Sequence, residues 1–117
     1  MHQAQVAMKV RPTTNGAAII DVQGELTGFA DAVLQEAYDE ASKDGVRAII
    51  LNFEDLQYMN SSGIGLLVTL LIRANRAKQK LLTYGLSDHY KQIFELTQLN
   101  DAIGVYDTEA EALQAAK

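Results

Sequence analysis

One stretch in the middle of the chain, Val46 to Phe53 (VRAIILNF), constrains the fold more than any other. It is compact, β-branched and mostly apolar, the composition of a strand buried on both faces of a parallel sheet. Parallel strands cannot be joined by a tight turn and need a crossover, most often a helix. The flanks supply such segments. Before it, Phe29, Val33, Leu34, Ala37, Tyr38 and Ala41 recur at helical spacing, with Thr27 placed to cap the helix and Asp44-Gly45 placed to close it. After it, Gly63 to Lys80 is the longest helix candidate, apolar almost all round until Arg73, Asn75 and Arg76.

The remaining chain extends the alternation. Val6, Met8 and Val10 alternate with Ala7, Lys9 and Arg11, the pattern of an edge strand that Pro12 ends. Thr13-Thr14-Asn15-Gly16 supplies a hairpin turn, and Ala17 to Gln23 resumes as a strand. Gly24 to Gly28 reads as a breaker, and Glu54 to Ser62 as a polar-tipped loop. Leu81 to Tyr84 is a short strand stopped by Gly85. A helix follows, capped by Ser87 or Asp88 and carrying Ile93, Phe94 and Leu96. Ile103 to Tyr106 is a last strand, and an Ala-rich helix runs to Ala116 with Glu109 and Glu111 in its first turn, where carboxylates suit the helix dipole. The order ββαβαβαβα predicts an α/β fold: a mixed, mostly parallel sheet, an N-terminal antiparallel hairpin at one end, and about four helices. With 117 residues, a single domain spanning 1–117 is expected.

Composition narrows function. Ten Lys plus Arg against fifteen Asp plus Glu give a net charge of -5, the wrong sign for binding nucleic acid. There are no cysteines, which removes disulfide scaffolds, thiolate zinc sites and a Cys nucleophile and leaves a cytoplasmic setting as the expectation. The first eleven residues contain no apolar signal core. The longest apolar run, Ile64 to Ile72, is far short of the ~20 residues that span a bilayer, so no direct membrane insertion is expected. Gly63-x-Gly65 followed by Val68 lacks the third glycine of a dinucleotide fingerprint. Ser61 lacks a nucleophile elbow, and the two histidines, His2 and His89, have no metal-ligand spacing. The expectation is a non-enzymatic protein with no cofactor and no metal.

The informative residues lie between Leu51 and Leu67. Two hydroxyls, Ser61 and Ser62, follow a strand and open a helix, where unpaired amides and the positive dipole end tolerate an added phosphate. Such a group would add roughly -1.5 to -2 charge, and the sequence sets Glu54 and Asp55 just ahead of it. The simpler reading is that Asn60, Ser61 or Ser62 caps the helix. The helix itself has more apolar residues than one stripe can bury. Leu67, Val68 and Leu71 are expected inside, and Ile64 and Leu66 are candidates for a contact patch with Tyr58, Met59, Gly24, Glu25 and Thr27. Arg73, Arg76 and the acidic face of the first helix are expected to be solvated.

Three elements together resemble a known family. Gly24-Glu25-Leu26 follows the second strand, Asn52, Glu54, Asp55 and Leu56 end the third, and Met59-Asn60-Ser61-Ser62-Gly63-Ile64-Gly65 opens the long helix. In these, and in element order along nearly its whole length, the chain resembles the anti-sigma-factor antagonists of the sulfate-transporter-and-anti-sigma-antagonist (STAS) class. The resemblance implies phosphorylation of Ser61 by an ATP-using anti-sigma factor serine kinase that is also the binding partner. It also implies partner switching: the unphosphorylated form occupies the kinase, the phosphorylated form releases it, and a metal-dependent serine phosphatase resets the cycle. Ser62 then stands as a neighbour of the acceptor, with Asn60 and Gly63 flanking the pair in the contact region. Asn60 departs from the Asp that the family pattern has there, removing a charge that would guide a kinase. The alternative is a STAS scaffold or transporter-accessory module that is not phosphorylated.

Overall fold

The computed structural model of the chain describes residues 5–14 and 16–117. Two residues weighed above, His2 and Asn15, lie outside them. The strands are β1 (Val6–Pro12), β2 (Ala17–Leu26), β3 (Ala48–Met59), β4 (Lys80–Tyr84) and β5 (Gly104–Tyr106). The helices are α1 (Asp31–Ala41), α2 (Ser61–Arg76), α3 (Asp88–Leu96) and α4 (Glu109–Ala116), with short 3-10 turns at Gly28–Ala30 and Leu99–Asp101. The five strands form one sheet in the order β1-β2-β3-β4-β5. β1 is antiparallel to β2, and the three other pairings are parallel. The α/β order and the hairpin at one end are as the sequence predicts.

Because β2, β3, β4 and β5 are neighbours in sequence order, successive right-handed crossovers deliver α1, α2 and α3 to the same face of the sheet. The main core forms there. Ile20, Val22, Ile49, Leu51 and Phe53 from the sheet meet Leu34 and Tyr38 of α1, Leu67 and Leu70 of α2, and Phe94 of α3, all of them buried. α4 follows the last strand, is tied to no crossover, and takes the opposite face. Its Ala112 and Ala116 pack on Ala17, Ile19, Ala48, Ile50, Leu82 and Tyr84. The small residues let a helix of eight residues lie close to the sheet.

Two segments differ from expectation. β2 does not end at Gln23 but continues through Gly24-Glu25-Leu26, and β3 does not end at Phe53 but continues to Met59, so that Glu25 pairs with Tyr58 and Leu26 with Met59. This extension runs past the end of β4, whose last register partner on β3 is Asn52. Its outward side chains therefore meet water, and Glu54, Asp55, Gln57 and Tyr58 are exposed. Loop-like composition here reflects a solvated part of a strand pair. The register shifts between Asp21 and Gln23 and between Gly24 and Glu25. Gly24 has φ +99°, and a Cβ there would stand 2.2 Å from the carbonyl oxygen of Gln5. Only glycine fits the irregularity.

α2 starts two residues earlier than expected and ends at Arg76. Beyond it the chain turns at Lys78, which has φ 59°, and Gln79 is buried, accepting a 2.7 Å hydrogen bond from the Tyr38 hydroxyl. Leu67 is buried as expected, whereas Val68 is 38% exposed. Arg73 is not simply solvated: its guanidinium bonds to Gln35, pairs with Asp39 at 2.9 Å, and lies 4.5 Å from the centre of the Tyr38 ring. The last turns of α1 and α2 are thereby joined on their outer side.

A polar cluster closes the other face. Arg11 of β1 donates to both carboxylate oxygens of Asp21, at 2.7 and 2.8 Å, and to Glu109 of α4 at 2.9 Å. Tyr84 donates to the same Glu109 oxygen at 2.9 Å, and Asn52 donates to Asp21 at 2.8 Å. The guanidinium holds the Asp21 carboxyl below the usual carboxylate range. Arg11 and then Tyr84 do the same for Glu109. Burial, and then Glu109, push the Tyr84 phenol up. Both acids thus favour folding in their charged form. That stabilisation is complete above the ordinary carboxylate pKa and disappears as pH falls through the lowered native values. Replacing Arg11 by Met should cost about 1–3 kcal/mol in urea unfolding at neutral pH. It should also lessen the loss of stability as pH falls below the ordinary carboxylate range, because Asp21 and Glu109 both lose the partner that lowers them most.

Candidate functional site

The end of the extended β2–β3 pair sets the start of α2. The last residue of β3, Met59, is buried, and its backbone N–H donates to the Tyr90 hydroxyl of α3 at 2.8 Å. The N–H of Asn60 donates to the Leu26 carbonyl at 3.3 Å, and the chain turns into the helix there. Asn60 is in extended conformation, and its side-chain oxygen accepts from the Gly63 N–H at 2.9 Å. Asn60 is therefore the cap, which leaves Ser61 and Ser62 in the first turn without a capping role. Both are exposed, and neither hydroxyl has a hydrogen-bond partner among the described residues.

Gly63 explains why a glycine follows the two serines. A Cβ at this position would stand 2.0 Å from the Leu26 carbonyl oxygen, so the helix can approach the end of β2 only without a side chain there. Gly65, two residues on, has nothing within 4 Å and faces solvent. On the other side of the turn Thr27 caps the Gly28–Ala30 turn, accepting from the Phe29 N–H at 3.3 Å. Gly28 then lies against the Ser62 side chain, 3.4 Å from where its own Cβ would be. The loop after β2 and the start of α2 are in direct contact.

Eleven residues were singled out in the sequence, and the structure brings them to one end of the sheet. Ser61 and Ser62 are exposed on the first turn of α2, with Asn60, Ile64 and Leu66 partly buried beside them. Tyr58 is 48% exposed and pairs across the strands with Glu25, next to Gly24. Met59, Gly63 and Thr27 are buried, so they shape this surface through the backbone. Two residues were missed. Phe29, which the sequence puts at helical spacing with α1, lies in the Gly28–Ala30 turn and is 60% exposed. Tyr90 looked like an ordinary residue of a helix start, and no local signal marks its hydrogen bond to a strand 31 residues away.

The electrostatics also differ from expectation. Glu54 and Asp55 are not beside Ser61: β3 continues for five residues after Glu54, which places that carboxylate ~16 Å down the strand. The first turn of α2 carries no acidic residue, and its basic residues, Arg73 and Arg76, are in the last turn. The site is a neutral helix start with two free hydroxyls. Among the described residues there is no group of three or more His, Cys, Asp or Glu side chains placed to hold a metal ion. No helix there is long and apolar enough to cross a membrane.

The STAS domain model matches residues 8–112, which include every strand from β2 onward and all of this site. The chain belongs to the STAS domain family. It is 37% identical over 93 residues to an anti-sigma-B factor antagonist of Staphylococcus aureus, covering 79% of this chain and 86% of the relative. A second anti-sigma-B factor antagonist, from Listeria monocytogenes, is 25% identical over 107 residues, 91% of this chain and 93% of the relative. Among solved structures, the phosphorylated form of the Bacillus cell fate determinant SpoIIAA superposes with a TM-score of 0.72 at 26% identity, covering 95% of this chain and all of the other. An anti-sigma factor antagonist of Mycobacterium paratuberculosis superposes at 0.81 with 18% identity and 98% of both chains covered, a likeness of fold. The chain is thus a STAS domain similar in sequence to named anti-sigma factor antagonists.

The two glycines of this site should respond in opposite ways to the same substitution. Gly63→Ala must move a helix against a strand carbonyl and is expected to lose about 1–3 kcal/mol. Gly65→Ala enters open space within a helix and is expected to gain up to about 1 kcal/mol. Paired thermal or urea unfolding of the two variants checks both signs.

Proposed function

We propose that this protein is an anti-sigma factor antagonist that works by partner switching, with Ser61 as its phosphorylated residue. The observation that carries the reading is the division of labour at the start of α2: Asn60 caps the helix, which leaves the Ser61 hydroxyl exposed and without a partner. A serine needed as a cap would lose helix stability on modification; Ser61 can take a phosphoryl group without that loss. The names of its relatives support the reading, as does the SpoIIAA protein, solved in both unphosphorylated and phosphorylated forms.

In this cycle the unphosphorylated chain docks on an anti-sigma serine kinase in the cytoplasm. The docking surface comprises Gly24, Glu25, Thr27, Tyr58, Met59, Asn60, Ser62, Gly63, Ile64 and Leu66, with Phe29 added on grounds of exposure. The kinase transfers the terminal phosphoryl group of ATP to the Ser61 Oγ, the hydroxyl proton is lost, and ADP leaves. The new group adds roughly -1.5 to -2 charge to a surface whose one charged residue, Glu25, is already negative. A partner fitted to the hydroxyl is ejected by charge and by the cost of burying the phosphate. A metal-dependent serine phosphatase returns the hydroxyl by hydrolysis. The protein is a substrate in these steps and performs no chemistry itself.

Mass spectrometry with site mapping, after incubation with magnesium ATP and serine kinases of the same organism, tests the acceptor. One phosphoryl group on Ser61, absent from Ser61→Ala, is the expected result. Failure of every kinase that binds the protein to modify it would leave a constitutive STAS scaffold. In binding titrations Ser61→Ala should hold the kinase within a few fold of the parent, and Ser61→Asp should bind at least tenfold more weakly. Equal affinities would reject ejection by charge.

A further inference from the structure

The edge of the sheet opposite β1 carries a feature that the Ser61 site does not use. β5 is the last strand, and no described strand lies beyond it. The Tyr106 carbonyl accepts from the Gly85 N–H at 3.3 Å, which turns Tyr106 toward β4. Alternation along the strand then turns the N–H and C=O of Val105 to the open edge. A groove of about 880 Å³ runs along this edge between α3 and α4. Val105 lines it and packs toward the α3 side, while Tyr106 lines it from the α4 side.

The rim of the groove has an excess of negative charge. Lys91 of α3 forms an ion pair with Asp107, so these two cancel. Glu95 of α3 and Glu111 of α4 remain, one on each side of the edge. The Glu111 carboxylate accepts a 3.0 Å hydrogen bond from the Asp107 N–H, a neutral donor that leaves its charge uncompensated. A second copy of this chain would bring the same two carboxylates against their equals, and like charges face each other at a cost.

We propose that the β5 edge is a docking site for an extended, basic peptide segment of a partner protein, added as a strand beside Val105. The segment exchanges hydrogen bonds with the backbone of Val105, places apolar side chains on the groove floor, and flanks them with lysine or arginine facing Glu95 and Glu111. This surface is independent of Ser61, and a protein can occupy it in either state of the switch.

A fluorescein-labelled peptide, Lys-Lys-Val-Val-Val-Lys-Lys, tests the proposal by fluorescence anisotropy on the full chain. A ¹⁵N amide map of the unlabelled complex locates the contact. Saturable binding is expected, with the largest shifts at Val105 and its neighbours. The double variant Glu95→Lys/Glu111→Gln, which keeps an acceptor for the Asp107 N–H, should weaken binding roughly tenfold through the lost rim charge. A control with the same change of net charge on α1, Glu36→Lys/Glu40→Gln, should stay within twofold. No saturable binding up to millimolar peptide overturns the proposal. So does equal weakening in the control, which would mean general attraction to an acidic protein, or a shift map centred away from β5.

Discussion

Parallel pairing of β2 with β3 is the interaction on which the rest of the structure depends. It runs through the fully buried centre, where Ile20 pairs with Leu51, to the strand ends, where Leu26 pairs with Met59 and both are again buried. The backbone carbonyl of Leu26 then fixes the next element, receiving the Asn60 N–H and lying against Gly63. A one-residue slip of either strand would exchange its residues that meet α1, α2 and α3 with those that meet α4, so the core specifies the register and the register specifies where α2 starts. Tyr90 reinforces the junction from α3 by accepting the Met59 N–H. The position of the Ser61 hydroxyl is a consequence of how β2 and β3 pack in the core.

The second face is held by a different kind of interaction. α4 buries small alanines, which contribute little apolar area each. Its attachment is completed by Glu109, which accepts from Arg11 and Tyr84 at its first turn. Arg11 lies on the first strand and Glu109 on the last helix, so this group of polar side chains joins the two ends of the chain across the sheet. Every buried side-chain nitrogen and oxygen among the described residues has a partner. The cluster can therefore bind α4 without the penalty of an unsatisfied polar atom.

Much of this could be read from residue patterns, because the elements that face a core carry its periodicity. The run from Val46 to Phe53, the period of α1 and the capped start of α3 are of this type. Misreadings fall where a backbone element leaves the core. Gly24 to Leu26 and Glu54 to Met59 are strands by hydrogen bonding yet polar by composition, since β4 does not extend alongside them. Val68 was misplaced because a helix start held by Gly63 rotates α2 so that Leu67 and Leu70, not Val68, face the sheet. The reach of Arg11 to Tyr84 and the Tyr90 bond are illegible for another reason: they join residues 73 and 31 apart, and nothing local distinguishes such a side chain from a solvated one. The motif puts Asn60, Ser61 and Ser62 together at a helix start, but which of the three caps the helix is visible only in the structure.

That division bears on what a charge at Ser61 would do. An α-helix rises 1.5 Å per residue, so Arg73 stands about 18 Å along α2 from Ser61, and no lysine or arginine lies between them. Lys91 on α3 is already paired with Asp107, and Arg11 is held on the opposite face. A phosphoryl group at Ser61 would meet the free amides of its own helix start and no cation within reach on α2. Phosphorylation that orders or remodels a segment does so by giving the new charge an arginine or lysine to pair with. Without one on α2, the added charge acts outward. The change would be read by the partner's surface, with the domain itself serving as a rigid support for a group that is present or absent.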